Sequence, residues 1–112
     1  MSKFDAAAII KAAEALANEK PKPVNLPGIG ALFKRRLNFG DIEAAEQIGE
    51  PYTVNGVLDR KTRVAIGVAQ MLCGPDGEPI FNASNKDHIG LIAKIPWDVL
   101  RQVNNEDEAG NA

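Results

Sequence analysis

The chain has 112 residues, of which 45% are hydrophobic, 25% are charged and 5% are aromatic. This length allows one domain, and the hydrophobic fraction excludes disorder of the whole chain. The 13 Lys and Arg residues against 15 Asp and Glu residues give a net charge of -2, which argues against coating nucleic acid or an anionic membrane by bulk attraction. One cysteine and one histidine exclude an intramolecular disulfide and leave too few ligands for a zinc site built on those residues. We therefore expect a small intracellular domain without metal or cofactor.

The first 20 residues predict a helix that is loosely attached to the rest of the domain. Ser2 can cap this helix, and Asp5 follows three residues later as the acid of a capping box. An apolar stripe follows at spacings of three and four residues, formed by Ile9, Ile10, Ala13, Leu16 and Ala17. Because the stripe is rich in alanine, the helix needs a partner surface to be stable. Pro21 and Pro23 end it.

Residues 24–36 carry a turn signal at Pro27, Gly28 and Gly30. The alternation of apolar and polar residues before this turn favours a short β-hairpin. A loop followed by a helix from Ala31 is the alternative interpretation, and periodicity leaves both open.

Two helices are predicted next from their caps. Asn38 is the predicted N-cap of a helix over about residues 39–48, whose acidic residues suit the positive end of the helix dipole. Asp59 is the predicted N-cap of a stronger apolar helix that extends to Cys73. Gly67 lies within this helix at a cost in helix propensity, so we expect a neighbour to pack closely against it.

Residues 74–77 predict a tight turn, and two shorter helices follow it. Ser84 with Asp87 is the cap signal for a helix that reaches about residue 93. Pro96 opens the last helix, in which Trp97 is expected to be a core anchor between helices.

These patterns predict a mainly α fold, a small domain of about four to five helices with a short β-hairpin near residues 24–36 as the favoured alternative there. We expect one domain over residues 1–104, with the helix of residues 1–20 at its margin. Residues 105–112 are polar and acidic without an apolar anchor, so we expect a disordered tail.

No arrangement of residues points to catalysis. Cys73 ends a predicted helix, where the dipole raises the pKa of a thiol, so we expect a buried structural cysteine. Asp87 and His88 are adjacent on a helix and would point about 100° apart, so they would not form a catalytic pair. We therefore expect a protein that is not an enzyme and has no catalytic residues.

Residues 26–37 resemble the hairpin of a helix-hairpin-helix module, in which glycine amides at a helix N-terminus approach a DNA phosphate. The resemblance rests on Leu26-Pro27-Gly28-Ile29-Gly30 and the cations that follow. It implies a DNA-binding module as an alternative function. The prolines at 21 and 23 and the net charge of -2 weigh against nucleic acid as a partner.

The segment after the turn combines basic and apolar residues and is our candidate partner-binding site. It consists of Phe33, Lys34, Arg35, Arg36 and Leu37. On a strand, Arg35 would point away from Lys34 and Arg36, which leaves one basic side. An acidic protein is as reasonable a target for that side as phosphate. For Phe33 and Leu37, packing in the core is the favoured alternative.

A second resemblance covers residues 24–104 and depends on the order of several features. These are the turn segment 24–30, the basic segment 33–37, the acidic helix start 41–43, the apolar helix 60–73, the segment Asp76-Gly77-Glu78-Pro79-Ile80-Phe81, and the segment 91–96 that opens the last helix. In this order they are similar to a tail assembly chaperone of long-tailed, siphovirus-like bacteriophages.

That resemblance implies a non-enzymatic assembly factor. Such chaperones bind the long helical tape-measure protein, help to recruit tail-tube protein around it, and are absent from the mature virion. The expected location is the host cytoplasm, with self-association as a further expectation and no membrane partner. A structural phage tail component is the alternative within the same setting.

Overall fold

The computed structural model of the protein describes residues 4–103. Within this range, five α-helices accompany a three-stranded antiparallel sheet, so the fold is mixed and not purely helical. The helices are α1 (Ala6–Ala17), α2 (Phe39–Gly49), α3 (Arg60–Met71), α4 (Lys86–Ala93) and α5 (97–103). The strands are β1 (Lys22–Leu26), β2 (Gly30–Lys34) and β3 (Leu72–Cys73), in the order β1-β2-β3, and a short 3₁₀ helix covers Glu50–Tyr52. The predicted helix count and hairpin agree with this architecture, whereas the third strand was not predicted.

Helix α1 begins later than predicted and stands apart from the core. Asp5 is its N-cap, since its side chain accepts a hydrogen bond from the Ala8 amide at 3.2 Å. Ser2 lies outside the described residues, so the capping role predicted for it is not tested. None of the twelve residues of α1, all described, is buried. The Cα radius of gyration is 16.2 Å, against about 13 Å for a compact chain of this length, in keeping with a helix that projects from the body.

Residues 24–36 form the predicted β-hairpin, and the alternative helix from Ala31 is wrong. The Ile29 amide donates to the Leu26 carbonyl at 2.9 Å, which closes the turn between β1 and β2. Gly28 and Gly30 have φ values of 83° and 129°, which residues with a side chain rarely adopt. The chemistry of the two glycines thus decides the local fold.

Helix α2 follows its predicted cap, but α3 ends earlier than predicted. Asn38 and Asp41 form a reciprocal capping box at the start of α2. Asp59 occupies the N-cap position of α3, as predicted, but its side chain accepts no capping hydrogen bond from the backbone of this fully described helix. Helix α3 ends at Met71 and not at Cys73. The last two residues of the predicted helix instead form β3 beside β2. Their backbone groups bond across the sheet, which outweighs one more turn of helix.

The last two helices carry two further corrections. Asn85, and not Ser84, caps α4 by accepting hydrogen bonds from two backbone amides at 2.8 and 3.2 Å. Trp97 is 53% exposed, so its predicted role as a core anchor is wrong. Val99, Leu100 and Val103 form the buried face of α5 instead. Trp97 lies more than 100° around the helix axis from the centre of that face.

The core lies between the sheet and the helices α3, α4 and α5. Its buried residues are Val24, Leu26, Ala65, Ile66, Val68, Ala69, Leu72, Ile89, Ile92, Val99, Leu100 and Val103. Cys73 is buried, as predicted. Phe81 packs against this core, whereas its neighbour Ile80 is 42% exposed. The acidic tail predicted for residues 105–112 lies outside the described residues.

Gly67 in the middle of α3 provides a test of local helix energetics. A Cβ placed at Gly67 would have no atom of the described chain within 4 Å, apart from the backbone of its own helix and the two adjacent residues. The prediction that a neighbour packs closely against this glycine is therefore wrong. Gly67→Ala should therefore raise the free energy of unfolding by about 0.5–1 kcal/mol, because alanine is the better helix former. Denaturant titration measures this change. Gly30→Ala is the control and should destabilise, since its φ is strained for alanine.

Candidate partner-binding surface

The five candidate residues 33–37 lie at the end of β2 and in the connection to α2, and the structure gives them different environments. Lys34 is buried, Arg36 is exposed, and Phe33, Arg35 and Leu37 are half-buried. The segment is therefore not one uniform basic patch. Whether it binds a partner stays a prediction.

Lys34 joins two ends of the fold that are 69 residues apart in sequence. It is 5% exposed, and its Nζ donates a hydrogen bond to the backbone carbonyl of Val103. A cation at the last described turn of α5 also suits the negative end of the helix dipole. Lys34 thus attaches α5 to the hairpin.

Arg35 forms the best-defined ion pair in the described chain. Its two terminal nitrogens each donate to one Asp41 carboxylate oxygen at 2.9 Å, which is a bidentate arrangement. The same carboxylate accepts a hydrogen bond from the Asn38 amide at 2.8 Å. The Arg35 amide donates to the Met71 carbonyl at 3.0 Å, and Gln70 Nε2 donates to the Asp41 carbonyl at 2.7 Å. The end of β2, the start of α2 and the end of α3 therefore meet at this pair.

The ion pair shifts the pKa of both partners. The side-chain hydrogen bonds from Arg35 lower the pKa of Asp41 below its ordinary value, against an opposing effect of desolvation. The same hydrogen bonds raise the pKa of Arg35. Burial raises the pKa of Cys73 nearby, which disfavours a reactive thiolate at neutral pH.

Arg36 is the cation of the candidate segment that faces solvent. Its Nε lies 3.6 Å from Glu19 Oε1, and Lys22 Nζ lies 3.3 Å from the same oxygen. These residues line a shallow groove of about 520 Å³ between the end of α1 and the end of β2. Basic side chains outnumber acidic ones along the groove, which makes Arg36 the residue best placed to meet an acidic partner.

A second surface, which was not predicted from the sequence, lies at the junction of α3 and α5. It is an apolar groove of about 700 Å³ lined by Val64, Ala93, Ile95, Trp97 and Leu100, with Asp59, Arg60 and Lys61 at its edge. We call it the Trp97 groove. The sequence contains a signal for this groove. At helical spacing, Trp97 lies on a different face of α5 from Val99 and Val103, which are buried.

His88, which the sequence analysis considered for catalysis, makes structural contacts. His88 Nδ1 accepts a hydrogen bond from the Asn82 amide at 2.9 Å, and its ring packs edge-on against Phe81 at 6.0 Å. Over the described part of the chain, no group of three His, Cys, Asp or Glu residues is placed to hold a metal ion. None of the helices in the same range is long and apolar enough to cross a membrane.

The segment similar to a helix-hairpin-helix module folds differently from one. Gly30 begins strand β2, whereas the module needs a helix N-terminus after its second glycine. The backbone amides of β2 pair with β1 across the sheet and are not grouped to receive a phosphate. Residues 26–37 therefore lack the geometry on which the DNA-binding alternative depends.

No protein-family model matches this chain, and no curated protein or solved structure does so either.

Lys34 and Arg36 are adjacent cations with contrasting environments, which allows a matched comparison. Lys34→Met should lower the free energy of unfolding by about 1–3 kcal/mol, because the buried Val103 carbonyl loses its donor. Arg36→Met should change it by less than about 0.5 kcal/mol, because its contact is exposed. Urea unfolding followed by circular dichroism compares the two. Equal effects would contradict the distinct roles assigned to them.

Asp41 should make stability depend on pH in a defined direction. Since its folded-state pKa is lowered, the stabilisation is present above the unfolded pKa of about 4 and is lost as the pH falls through the folded value. Asp41→Asn should cost about 1.5–3 kcal/mol at pH 7, because it removes charged hydrogen bonds. The difference between parent and variant should shrink below pH 4. A difference that stays constant from pH 7 to pH 2 would contradict the assigned ion pair.

Proposed function

We propose that this protein is a non-enzymatic tail assembly chaperone of a long-tailed bacteriophage, which binds the tape-measure protein and helps to recruit tail-tube protein. Two arguments support the proposal. The order of sequence features over residues 24–104 resembles that family, and the domain leaves an apolar groove open at its surface. The groove is the observation that carries the proposal, because a chaperone for a long helical protein needs a surface that accepts an amphipathic helix.

The Trp97 groove has the chemistry that a helical client requires. An indole that is 53% exposed offers a large apolar contact at the edge of the groove. Val64 and Ile95 add apolar surface to the same groove. Residues at i, i+3 and i+4 of an incoming helix would cover these side chains.

The charges at the edge of the groove indicate which clients fit best. Arg60 and Lys61 lie in the first turn of α3, where the helix dipole is already positive, and the N-cap residue Asp59 balances only one of these two charges. A client helix with acidic residues beside its apolar stripe would relieve that repulsion. We therefore expect an acidic, amphipathic segment of the tape-measure protein as the preferred ligand.

The composition suits a contact that is later released. Only 5% of the residues are aromatic, and aromatic side chains supply much of the affinity in tight interfaces. A single exposed tryptophan in an aliphatic groove favours moderate affinity. The client is then released as tube protein polymerises, and we expect the chaperone in the host cytoplasm and not in the finished virion.

The segment 33–37 fits this scheme as a second contact. Arg36 is exposed beside the half-buried Leu37, on a surface separate from the Trp97 groove. An acidic region of tail-tube protein is the partner expected there. Lys34 and Arg35 line the same groove and support this surface through their hydrogen bonds to Val103 and Asp41.

A binding experiment tests the client site. Overlapping 30-residue peptides that tile a candidate tape-measure protein of the same phage are titrated against the parent, Trp97→Ser and Leu91→Ser by fluorescence anisotropy. At least one acidic amphipathic peptide should bind the parent and lose tenfold or more in affinity to Trp97→Ser. Leu91 is 57% exposed but does not line the groove, so Leu91→Ser should bind as the parent does. Failure of every peptide to bind the parent would contradict the proposal.

Mass spectrometry of purified virions separates a chaperone from a structural component. A chaperone should be present in infected-cell lysate and absent from mature particles. Stoichiometric recovery of the chain from particles would support the structural alternative. Binding of the chain to duplex DNA at low salt, with loss of that binding in Arg36→Met, would support the nucleic-acid alternative.

A further inference from the structure

Helix α1 carries an apolar stripe whose large side chains the rest of the described chain, residues 4–103, leaves more than half exposed. Ile9, Ile10 and Leu16 are 54%, 57% and 57% exposed. An isolated helix of twelve residues is marginal in water, and most of the stability of such a helix comes from packing its apolar face. This helix therefore needs a surface to pack against.

The Trp97 groove is an apolar surface of the kind that α1 lacks. It is lined by residues of α3 and α5, by the last residue of α4 and by the segment that joins α4 to α5, and none of its described lining residues comes from α1. In the described chain, therefore, one element has an uncovered apolar face and another region has an unfilled apolar groove. Every copy of the protein carries both.

The charges of the two surfaces are complementary. At 100° per residue, Glu14 lies beside Ile10 at the edge of the stripe, whereas Lys11 lies on the opposite side of the helix. The charge that flanks the apolar stripe is thus negative. At the edge of the groove, Arg60 and Lys61 outnumber the single acidic residue Asp59, so the net charge there is positive. When the stripe enters the groove, Glu14 can meet these cations while Lys11 stays in solvent.

We infer that α1 of one copy packs its Ile9–Leu16 stripe into the Trp97 groove of a second copy. Reciprocal exchange gives a closed two-fold dimer with two identical contacts. Four residues, Asn18–Pro21, join α1 to β1, so the helix can be exchanged without disturbing the core. The resemblance implies self-association without indicating its surfaces, whereas the pairing of α1 with the Trp97 groove rests on the surfaces of this chain alone.

The same contact regulates access to the groove. A client helix and a neighbour's α1 compete for Trp97, so the dimer keeps the groove covered until a client displaces α1. Because the stripe contains alanine as well as Ile and Leu, it buries less apolar area than a stripe of large residues would. The displacement therefore has a modest free-energy cost.

Three variants test the dimer by sedimentation velocity. Ile9→Asp with Leu16→Asp removes the stripe, and Trp97→Ser removes part of the groove. Ala8→Asp with Ala15→Asp is the matched control, because it places two aspartates on the opposite side of the same helix. The parent and the control should dimerise, and the stripe and groove variants should each weaken dimerisation at least tenfold. Circular dichroism verifies that α2–α5 remain folded in every variant.

Mixing the two defective variants gives the decisive result. A copy with an intact groove and a copy with an intact α1 can still form one contact, so the mixture should contain a heterodimer that neither variant forms with itself. Dimerisation of Trp97→Ser at the affinity of the parent, with loss in the stripe variant, would show instead that α1 pairs with α1. A parent that stays monomeric at several hundred micromolar would overturn the inference.

A charge exchange tests the orientation independently. Glu14→Arg should weaken the dimer several-fold, and adding Arg60→Glu and Lys61→Glu in the same chain should restore it. Failure of client peptides to bind leaves these results unchanged, because they involve only this chain. The dimer and the proposed chaperone function can therefore fail separately.

Discussion

The bidentate pair between Arg35 and Asp41 is the contact on which the arrangement of the other elements depends. Its two hydrogen bonds of 2.9 Å connect the residue after β2 to the first turn of α2. The backbone groups of the same two residues bind α3, through the Met71 carbonyl and the Gln70 amide. The side chains and backbone groups of these two residues thus connect the sheet, α2 and α3. The ion pair also explains why Arg35 is only partly available to partners.

Much of the fold could be predicted from local chemistry. The glycines at 28 and 30 determine the hairpin through their positive φ, and Asn38 determines the start of α2 through a capping hydrogen bond. Signals of this kind act over four residues or fewer, so a sequence displays them directly. The end of α3 was missed because the strand at Leu72–Cys73 depends on pairing with β2, about 40 residues earlier, in addition to a local bridge between Cys73 and Pro79. Local propensity depends on neighbouring residues, so it does not indicate a pairing partner that is distant in sequence.

The candidate site was harder to predict for the same reason. Three consecutive cations look equivalent in the sequence, yet Lys34 binds a carbonyl 69 residues away, Arg35 binds a carboxylate and Arg36 faces solvent. The alternation of a strand predicts that Arg35 differs from its two neighbours, but it cannot predict that one of those neighbours is buried. Trp97 was misplaced because its size favoured the core, whereas its phase on α5 favoured the surface.

The apolar residues that stabilise the core and the apolar residues that are exposed lie on different elements, and this separation matters for function. The core is built from the sheet and from α3 to α5, and α1 takes no part in it. Substitutions on the stripe of α1 therefore remove no contact that holds the core together, so this surface is free to change its partner without a cost to folding. The Trp97 groove has less freedom, because Leu100 lines it and is also part of the core. In this arrangement the Trp97 groove is a fixed binding surface and α1 is a helix that can change its partner. Both are required if the groove is to bind α1 of a second copy at one time and a helical client at another.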